Sequence, residues 1–395
     1  MILSRKKYAA MTAILFLCAL TVVSSVYTMT PLTEPLMQSL KINHTQAAGA
    51  ASVFSFFYAV GFLVFGPIGS RFGNRRTMLT GLLTLGIITL AGGLVMDYST
   101  LLLLRAFQGF FAASFAPNAL TYVFQTYPDR QRITAISYIS FGYVTAGIFG
   151  QVMATILDYY YKWQAIFLVF GILYIFIFLM MTWGLPKERK QASTIYKQQY
   201  WKSVIMLLKV KQLMYCYVIT SVLLLAFIGM YTILGGSLQA APYYITDIEL
   251  LFIRSVGFIG MLLSLCSGYF VEKFGAIRTL RGSLAISIGG LCGVGLLSNP
   301  LMITVMSILF VAGISLTFPV MMLLVGEWGG AERAAASSFY AFILFVGATI
   351  GPMIAVPLYQ AFGFMVSCCL LAAILGFGSI FSLFIREKKK TLTRD

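Results

Sequence analysis

The sequence predicts an all-α membrane protein with twelve transmembrane helices in two pseudo-symmetric six-helix bundles. Three observations predict this class: the composition, the number of long apolar runs and an internal repeat. Of the 395 residues, 59% are hydrophobic and only 10% are charged, which is too little charge to cover a water-facing surface. The same balance argues against a large soluble domain.

Apolar runs of about 20 residues, the length of a membrane-spanning helix, occur twelve times. They lie near 8–30, 46–66, 77–97, 99–124, 133–157, 164–184, 213–234, 250–271, 277–298, 300–325, 334–358 and 364–385. The first run is too long for the apolar core of a cleavable signal peptide. We therefore expect it to remain in the protein as a helix.

The longest polar gap divides these runs into six plus six. We predict an N-terminal bundle over 1–186, a cytoplasmic linker over 187–212, a C-terminal bundle over 213–386 and a cytoplasmic tail over 387–395. Within the linker, Tyr200–Val210 is typical of a short surface helix.

The positive charges predict the orientation. If the N-terminus is cytoplasmic, only Lys41, Lys162 and Arg254 of the 28 Lys and Arg residues lie outside, and Arg105 lies within the membrane. Basic residues accumulate on the cytoplasmic side of membrane proteins. We therefore expect both termini to be cytoplasmic, in the inner membrane of a bacterial cell. The +16 net charge then reflects topology and attraction to anionic lipid, not nucleic-acid binding.

The two halves resemble each other at three places with an offset of 201–204 residues. Gly66–Arg76 (GPIGSRFGNRR), after helix 2, matches Gly268–Arg278 (GYFVEKFGAIR), after helix 8. The other two matches are Arg132 to Gly150 with Arg333 to Gly351, and Tyr27-Thr28 with Tyr231-Thr232. Duplicated six-helix units indicate a transporter with its site between the halves near the midplane.

Arg105 is the main functional candidate. Inserting a guanidinium into hydrocarbon costs roughly 2.5–3.5 kcal/mol, so such residues usually face a protein interior and have a function there. Snorkelling to the interface is the alternative. The residues that share its helical face are small or polar: Gln108, Gly109, Ala112, Ala116 and Ala119.

Three motifs resemble the major facilitator superfamily. Gly66–Arg76 resembles its cytoplasmic loop signature, a Gly, an acidic-basic pair, then Gly and basic residues. Arg105-Ala-Phe-Gln108-Gly109 resembles its helix 4 motif, whose arginine takes part in proton coupling in proton-linked members. Lys162–Phe167 (KWQAIF) resembles the start of helix 6 in the drug:proton antiporter branch. The chain is identified as a member over its whole length, which implies twelve helices and alternating access.

The loop signature departs from the family pattern at Ser70, where an acid is expected. The second copy keeps Glu272, with Arg333 as the partner that the resemblance implies. In the first half Arg132 faces Ser70, with Asp129 as a substitute acid, so we predict a weaker cytoplasmic latch there. The residues expected to act in conformational change are Gly66, Ser70, Arg71, Gly73, Arg75, Arg76, Arg132, Gly268, Glu272, Lys273, Gly275 and Arg333.

The antiporter signature of helix 5 is also altered. Where the family has Gly-Pro, two residues and Gly-Gly, this chain has Ala146-Gly147 and then Gly150-Gln151. Small residues at four-residue spacing allow close helix packing. We therefore predict packing roles for Gly147, Gly150, Gly347 and Gly351, and the indication of antiport is weaker.

In the family, helices 1, 4, 7 and 10 line the substrate cavity. The candidates by this resemblance are Tyr27, Thr28, Arg105, Gln108, Tyr231, Thr232 and Ser307, which takes the place of Arg105 in the second half. Proton coupling needs a titratable group, and Glu34 is the nearest carboxylate, with a solvated interfacial role as the alternative. One Arg without a buried acid suits neutral, amphipathic or anionic compounds.

The sequence lacks catalytic, nucleotide-binding and metal-ligand motifs, so we predict neither an enzyme nor a resident metal or cofactor. The first hypothesis is a monomeric multidrug antiporter that uses the proton gradient to export small lipophilic or amphipathic compounds. The second is a symporter or uniporter of a sugar or organic anion. A lipid transporter also fits, and a non-transport receptor ranks third. The expected partners are the substrate, protons and membrane lipid.

Overall fold

The computed structural model describes residues 4–29, 31–188 and 206–386, and every regular element in these ranges is helical. The chain divides into two compact units, Met1–Tyr200 with Ser337–Phe342, and Trp201–Ala336 with Ile343–Asp395. The predicted domain boundaries stay predictions. Most of the predicted linker helix and the tail at 387–395 lie outside the described residues.

The first unit contains eight helical segments. They are α1 (Arg5–Tyr27), α2 (Thr33–Leu40), α3 (His44–Phe72), α4 (Asn74–Gly92), α5 (Tyr98–Ala112), α6 (Ala116–Thr126), α7 (Asp129–Tyr160) and α8 (Ala165–Gly184). The most extensive contacts join α1 to α7, α3 to α5 and α4 to α8. These contacts bury the apolar faces between the helices.

The second unit contains six helices and short 3₁₀ turns. The helices are α9 (Lys211–Gln239), α10 (Asp247–Met261), α11 (Ser267–Phe274), α12 (Ala276–Leu296), α13 (Pro300–Gly329) and α14 (Arg333–Ile380). Helix α13 lies at the centre of the contacts described here, since α9, α10 and α12 all pack against it.

The predicted fold class is confirmed. The described residues contain nine segments long and apolar enough to cross a membrane, of which the last, Pro300–Leu383, holds α13 and both arms of α14. Helix α4, which carries four threonines and two arginines, is the remaining predicted span. Each predicted apolar run thus corresponds to helical structure.

Several predicted helices are interrupted. The fourth is divided into α5 and α6, because Pro117 has no N–H to donate to the carbonyl of Ala113 and its ring crowds that turn. The eighth is divided by the 3₁₀ turn Leu262–Cys266. The eleventh and twelfth predicted helices form one continuous element, α14, which is kinked at Gly363, where φ is 75°.

The prediction that the two signatures form loops is wrong, because most residues of each signature are helical. Helix α3 continues to Phe72 and α11 to Phe274, so only Gly73 and Gly275 form the turns. Gly73 has φ 98° and Gly275 has φ 84°, a region that a side chain disfavours. Each unit therefore contains, at the repeated position, two helices joined by one glycine.

A close helix contact is also repeated. A Cβ atom built on Gly150 of α7 would lie 2.5 Å from the Ser24 carbonyl oxygen of α1. A Cβ on Gly351 of α14 would lie 2.6 Å from the Leu225 carbonyl oxygen of α9. The two glycines are 201 residues apart, and so are the two residues that supply the carbonyl oxygens. Gly347 also packs tightly, at 2.4 Å from the Ser221 carbonyl oxygen, whereas a Cβ on Gly147 would make only ordinary contact.

We expect Gly150→Ala to destabilise the protein by about 1–3 kcal/mol, because the added methyl group would force α1 and α7 apart. Gly147→Ala is the matched control, since its Cβ would lie 3.8 Å from the Tyr27 ring and alanine is the better helix former. The measurement is the apparent midpoint of thermal unfolding in detergent. Equal midpoints for the two variants would contradict the packing role of Gly150.

Candidate functional site

Arg105 is buried in the first unit, with 1% of its surface exposed. Its Nε donates to the Ala50 carbonyl oxygen at 3.2 Å, and its Nη2 donates to the Ser25 carbonyl oxygen at 3.0 Å. Its Nη1 donates to Gln108 Oε1 at 3.1 Å, and its Cζ lies 4.2 Å from the centroid of the Phe54 ring. The guanidinium therefore contacts α1, α3 and its own helix α5.

All these partners are neutral groups. Ser25 is in the last turn of α1, where carbonyls lack partners within the helix and the helix dipole is negative. Hydrogen bonds to a charged group contribute about 1.5–3 kcal/mol each, and a desolvated cation–π contact contributes about 2 kcal/mol. These contributions offset the insertion cost of roughly 2.5–3.5 kcal/mol without a carboxylate.

Gln108 extends the network from Arg105 to α4. Its Nε2 donates to Thr89 Oγ1 at 3.1 Å, and the Thr89 hydroxyl donates to the Leu85 carbonyl oxygen at 2.6 Å. Because Gln108 Oε1 accepts from Arg105, the amide is fixed by partners on both sides. Its orientation therefore presents nitrogen towards α4 and oxygen towards the guanidinium.

A small cavity of about 10 Å³ adjoins this network. It is lined by polar and apolar residues: Ser25, Thr28, Thr89, Arg105, Gln108, Ile166, Phe167 and Phe170. This is about the room that one water molecule needs, and far less than a pocket for a drug-sized ligand.

The cavity lies at one end of the unit. Its residues come from the final turns of α1 and α4, from the middle and second half of α5 and from the initial turns of α8. Arg105 is seven residues into α5, about 10 Å along the helix axis. The predicted topology assigns this end to the outer side of the membrane.

Two features hold α1, α3 and α8 around the site. Ser25 Oγ hydrogen-bonds Tyr174 Oη of α8, which donates to the Thr21 carbonyl oxygen at 3.0 Å. A Cβ on Gly109 would lie 2.2 Å from the Phe54 carbonyl oxygen, so glycine allows α3 to approach α5 closely there. This approach brings the Ala50 carbonyl within reach of Arg105, one turn earlier.

The predicted small, polar face of the fourth helix is buried at Arg105, Gln108, Gly109 and Ala112. Beyond the break, Ala116 is half-buried and Ala119 is fully buried. The functional roles of these residues stay predictions.

The other cavity candidates are dispersed. Thr28 lines the cavity beside Arg105, but Tyr27 does not and packs near Gly147 instead. In the second unit Tyr231 packs against Phe227 at 5.2 Å between ring centroids. Thr232 is exposed, and its hydroxyl donates to the Ile228 carbonyl oxygen of its own helix.

Ser307 is fully buried, and its hydroxyl donates to the Thr304 carbonyl oxygen at 2.8 Å. Its polar atom is thus used within α13, and its place in the substrate cavity stays a prediction. Glu34 is the second residue of α2, shortly after α1 ends. Its side chain lies outside the described part of the structure, so its proximity to Arg105 stays a prediction.

The expected latch partners differ from the structure. Ser70 is exposed, and its hydroxyl donates to the Gly66 carbonyl oxygen of α3 instead of facing Arg132. Arg132 Nη1 pairs with Asp129 at 2.7 Å, so the substitute acid is the partner present.

In the second unit Glu272 is exposed, and its pairing with Arg333 stays a prediction. Arg333 Nε donates to the Gly326 carbonyl oxygen at 2.9 Å, near the end of α13. Arg132 likewise donates to the Phe124 carbonyl oxygen near the end of α6. Each arginine therefore binds the carboxyl end of the preceding helix, where a positive charge is favoured.

The remaining basic residues of the signatures are nearer to the surface. Arg71 and Arg76 are exposed, and Arg71 lies over the Phe72 ring at 5.0 Å. Lys273 Nζ donates to Tyr269 Oη at 3.2 Å. Arg75 is half-buried and binds the end of α8, where its Nε donates to the Leu185 carbonyl oxygen at 2.7 Å.

Sequence reasoning missed Glu188, which follows α8. Its carboxylate accepts from the Arg75 N–H at 3.3 Å and from Asn74 Nδ2 at 3.0 Å, both in the first turn of α4. A Cβ on Gly73 would lie 2.5 Å from Glu188 Oε1, which is the end of a flexible side chain, so glycine is needed here for its positive φ. Glu188 thus places a negative charge at the amino end of α4, close to the signature whose acidic position is Ser70.

Two carboxylates outside the membrane spans cap helices. Hydrogen bonds from Thr100 lower the pKa of Asp97, the N-cap of α5. Hydrogen bonds from Thr246 lower the pKa of Glu249 in the capping box of α10. Both carboxylates thus serve as helix caps.

Comparison with known proteins identifies the family. The chain matches the Major Facilitator Superfamily over residues 14–263 and 250–395. It therefore belongs to this superfamily of transporters, and it is a multi-pass membrane protein.

Individual similarities are distant but extend over most of the chain. An uncharacterized transporter of Buchnera aphidicola subsp. Schizaphis graminum is 21% identical over 87% of this chain and 84% of its own length. The crystal structure of FucP, the Escherichia coli fucose:proton symporter, in its outward conformation has a TM-score of 0.78 at 15% identity, covering 96% of this chain and 99% of FucP. The crystal structure of the human organic anion transporter MFSD10 has a TM-score of 0.77 at 12% identity, and the match covers 95% of this chain and 99% of MFSD10. At these identities the solved structures show the shared fold.

We expect Glu188→Ala to destabilise the first unit by about 1–2 kcal/mol, because the first turn of α4 and Asn74 Nδ2 lose an acceptor. Glu188→Gln keeps an acceptor oxygen but loses the charge, so its effect falls between the two. Lys187→Ala, at the exposed neighbouring residue, is the control. The apparent thermal midpoint in detergent measures the effect, and a Glu188→Ala midpoint equal to that of Lys187→Ala would refute the assignment.

Proposed function

We propose that the protein is a secondary active transporter that exports small lipophilic or amphipathic compounds by alternating access, coupled to proton entry. The observation that supports this most directly is the buried Arg105 network at one end of the first unit. A cation held in the interior by neutral groups responds strongly to any charge that arrives or leaves nearby, because the local dielectric constant is low.

In this proposal Glu34 is the proton carrier. It follows α1 by a short turn, and α1 supplies the Ser25 carbonyl oxygen that Arg105 binds. A carboxylate next to a guanidinium stays ionised until proton binding or substrate binding separates the pair. Proton and substrate then compete for one state of the site, which is the requirement for antiport.

The orientation and setting form part of the same proposal. The distribution of Lys and Arg favours cytoplasmic termini in a bacterial inner membrane. We propose a monomer in contact with anionic lipid, with the proton gradient as the energy source. The motif at Lys162–Phe167 favours the drug:proton antiporter branch.

An organic anion carrier is the second candidate. Arg105 has five N–H donors, of which three have acceptors among the described residues, and the remaining two favour an anionic substrate. MFSD10, a human organic anion transporter, shares the fold at 12% identity. In this alternative Arg105 binds the substrate directly and Glu34 has no essential role.

Transport by purified protein in proteoliposomes, with and without a pH gradient, tests the proposal. The panel contains neutral, cationic and anionic compounds of similar size. We expect the gradient to drive accumulation of a lipophilic neutral or amphipathic compound. Equal accumulation with and without the pH gradient would refute proton coupling.

Two substitutions distinguish the candidates. If Glu34 carries the proton, Arg105→Lys and Glu34→Gln each reduce gradient-driven transport at least about tenfold, since lysine does not reproduce the forked geometry of arginine. Glu249→Gln is the matched control, because glutamine also completes a capping box. Loss in Arg105→Lys alone would reject the proton role of Glu34 and favour the anion carrier.

A further inference from the structure

We propose that one exposed face of α12 in the second unit binds a single anionic phospholipid, with its phosphate at an arginine cluster and an acyl chain along the helix. The face consists of Arg278, Gly282, Ala285 and Gly289, and we call it the α12 lipid face. The inference rests on the proposed setting in a membrane with anionic lipid, and it does not depend on the transported compound.

The α12 lipid face is continuous and open. Its residues follow one another at spacings of four, three and four, so the 3.6-residue period places them on one side of the helix. All four are exposed, and apart from the helix backbone no described atom lies within 4 Å of a Cβ built on Gly282 or Gly289. In the first unit a Cβ on Gly86 of α4 would lie 2.8 Å from Ile175 Cδ1. Beyond its arginine, the α12 lipid face therefore carries nothing larger than a methyl group and can accommodate an acyl chain.

Three exposed arginines lie at one end of this face. Arg278 and Arg281 are one turn apart at the start of α12, and Arg386 follows α14. Arg281 Nη2 donates to the Ser382 carbonyl oxygen at 3.2 Å, so the end of α14 lies beside the start of α12.

These arginines have unused donors. The guanidinium groups of Arg278 and Arg386 and the Nη1 group of Arg281 have no acceptor among the described residues. Arginine binds phosphate through pairs of N–H groups, and basic residues between helices on the cytoplasmic side bind anionic headgroups. The predicted topology assigns this end of α12 to that side. The cluster therefore favours a lipid phosphate.

The first unit has an acid at the corresponding place. Arg278 corresponds in the repeat to Arg76, 202 residues earlier, and Glu188 places its carboxylate in the same turn of α4 as Arg76. No carboxylate among the described residues of the second unit hydrogen-bonds to the first turn of α12. A lipid phosphate has the same sign of charge as Glu188 and would supply it from the membrane. Glu387, which follows the described range, is the competing acid within the chain.

The surroundings of the arginines are apolar and exposed, which favours a lipid over free phosphate. Four large apolar side chains at the end of α14 are between 49% and 62% exposed: Phe377, Ile380, Leu383 and Phe384. An amphipathic ligand can satisfy both the charge and this apolar surface, whereas inorganic phosphate satisfies the charge alone.

A second copy of the chain is the other occupant that small residues would suit, because they allow helices to approach closely. Two copies in one membrane have the same orientation, so Arg278 and Arg281 of both copies would lie at the same depth. Like charges would then face each other across the contact. The charge of the face therefore favours an anionic lipid.

The test is lipid binding to the purified full-length protein, measured by native mass spectrometry and as the thermal midpoint in detergent. The probes are dioleoyl phosphatidylglycerol, dioleoyl phosphatidylcholine and inorganic phosphate at equal ionic strength. We expect saturable retention of phosphatidylglycerol with a raised midpoint, and neither effect from the other two probes. Equal effects of the two lipids, or an equal rise with inorganic phosphate, would overturn the proposal.

A charge variant assigns the binding to the arginine cluster. Arg278→Gln with Arg386→Gln should weaken retention about tenfold, because each basic residue near the headgroups contributes to the attraction. Arg281 is left in place, since it binds the end of α14. Arg71→Gln with Arg76→Gln is the matched control, because it removes the same charge from exposed arginines of the first unit. Equal loss in the two double variants would overturn the site.

A second variant tests the acyl-chain strip. Gly282→Leu with Gly289→Leu fills it, and because both positions are open the midpoint in lipid-free detergent should not fall. We expect weaker retention of phosphatidylglycerol, and unchanged retention would refute the strip. Binding that appears only in Glu387→Gln would also overturn the proposal, because that acid would then occupy the arginines. A dimer that this double leucine variant dissociates would assign the face to a second copy instead.

The lipid site and the transport function fail separately. Lipid retention is measured without a pH gradient or a transported compound. Loss of gradient-driven transport with intact lipid retention refutes the transport proposal alone. Intact transport without selective lipid retention refutes the α12 lipid face alone.

Discussion

The first unit depends on placing one unpaired positive charge in an apolar interior. Arg105 satisfies this constraint with backbone carbonyls from two helices, a side-chain amide and an aromatic face. Each partner requires a particular helix at a particular distance. The end of α1, the start of α3 and the end of α4 are therefore fixed around α5 by the electrostatics of one side chain, with Tyr174 adding α8.

The two units share a framework but not this charge. The turns at Gly73 and Gly275 and the contacts at Gly150 and Gly351 recur at nearly the same offset. At the position of Arg105 the second unit has Ser307, whose hydroxyl is used within its own helix. Duplication accounts for the framework, and the chemistry of the site belongs to the first copy.

The sequence could predict the residues whose type is unusual for a membrane helix, such as a charged residue or a glycine. Arg105 is conspicuous because a guanidinium is expensive in hydrocarbon, and the 3.6-residue period placed Gln108 and Gly109 on its face. Its acceptors could not be predicted in this way. The carbonyls of Ala50 and Ser25 lie 55 and 80 residues away in the chain, and a backbone carbonyl carries no signal in the residue type. Glu188 was missed for the same reason, since its partners are 113 and 114 residues distant.

By itself, the sequence determined the membrane environment, the helical segments, the duplication and the position of the charge at Arg105, because hydrophobic length, glycine and charge are local properties of the chain. The tertiary structure decided which groups neutralise Arg105, how Pro117 interrupts its helix and which acid reaches the amino end of α4. Arg132 pairs with Asp129, the substitute acid that the sequence had suggested, and Ser70 is bound to its own helix. The partners of Arg105 and of Glu188 depend on distances between helices, and such distances are set by packing contacts between residues far apart in the chain.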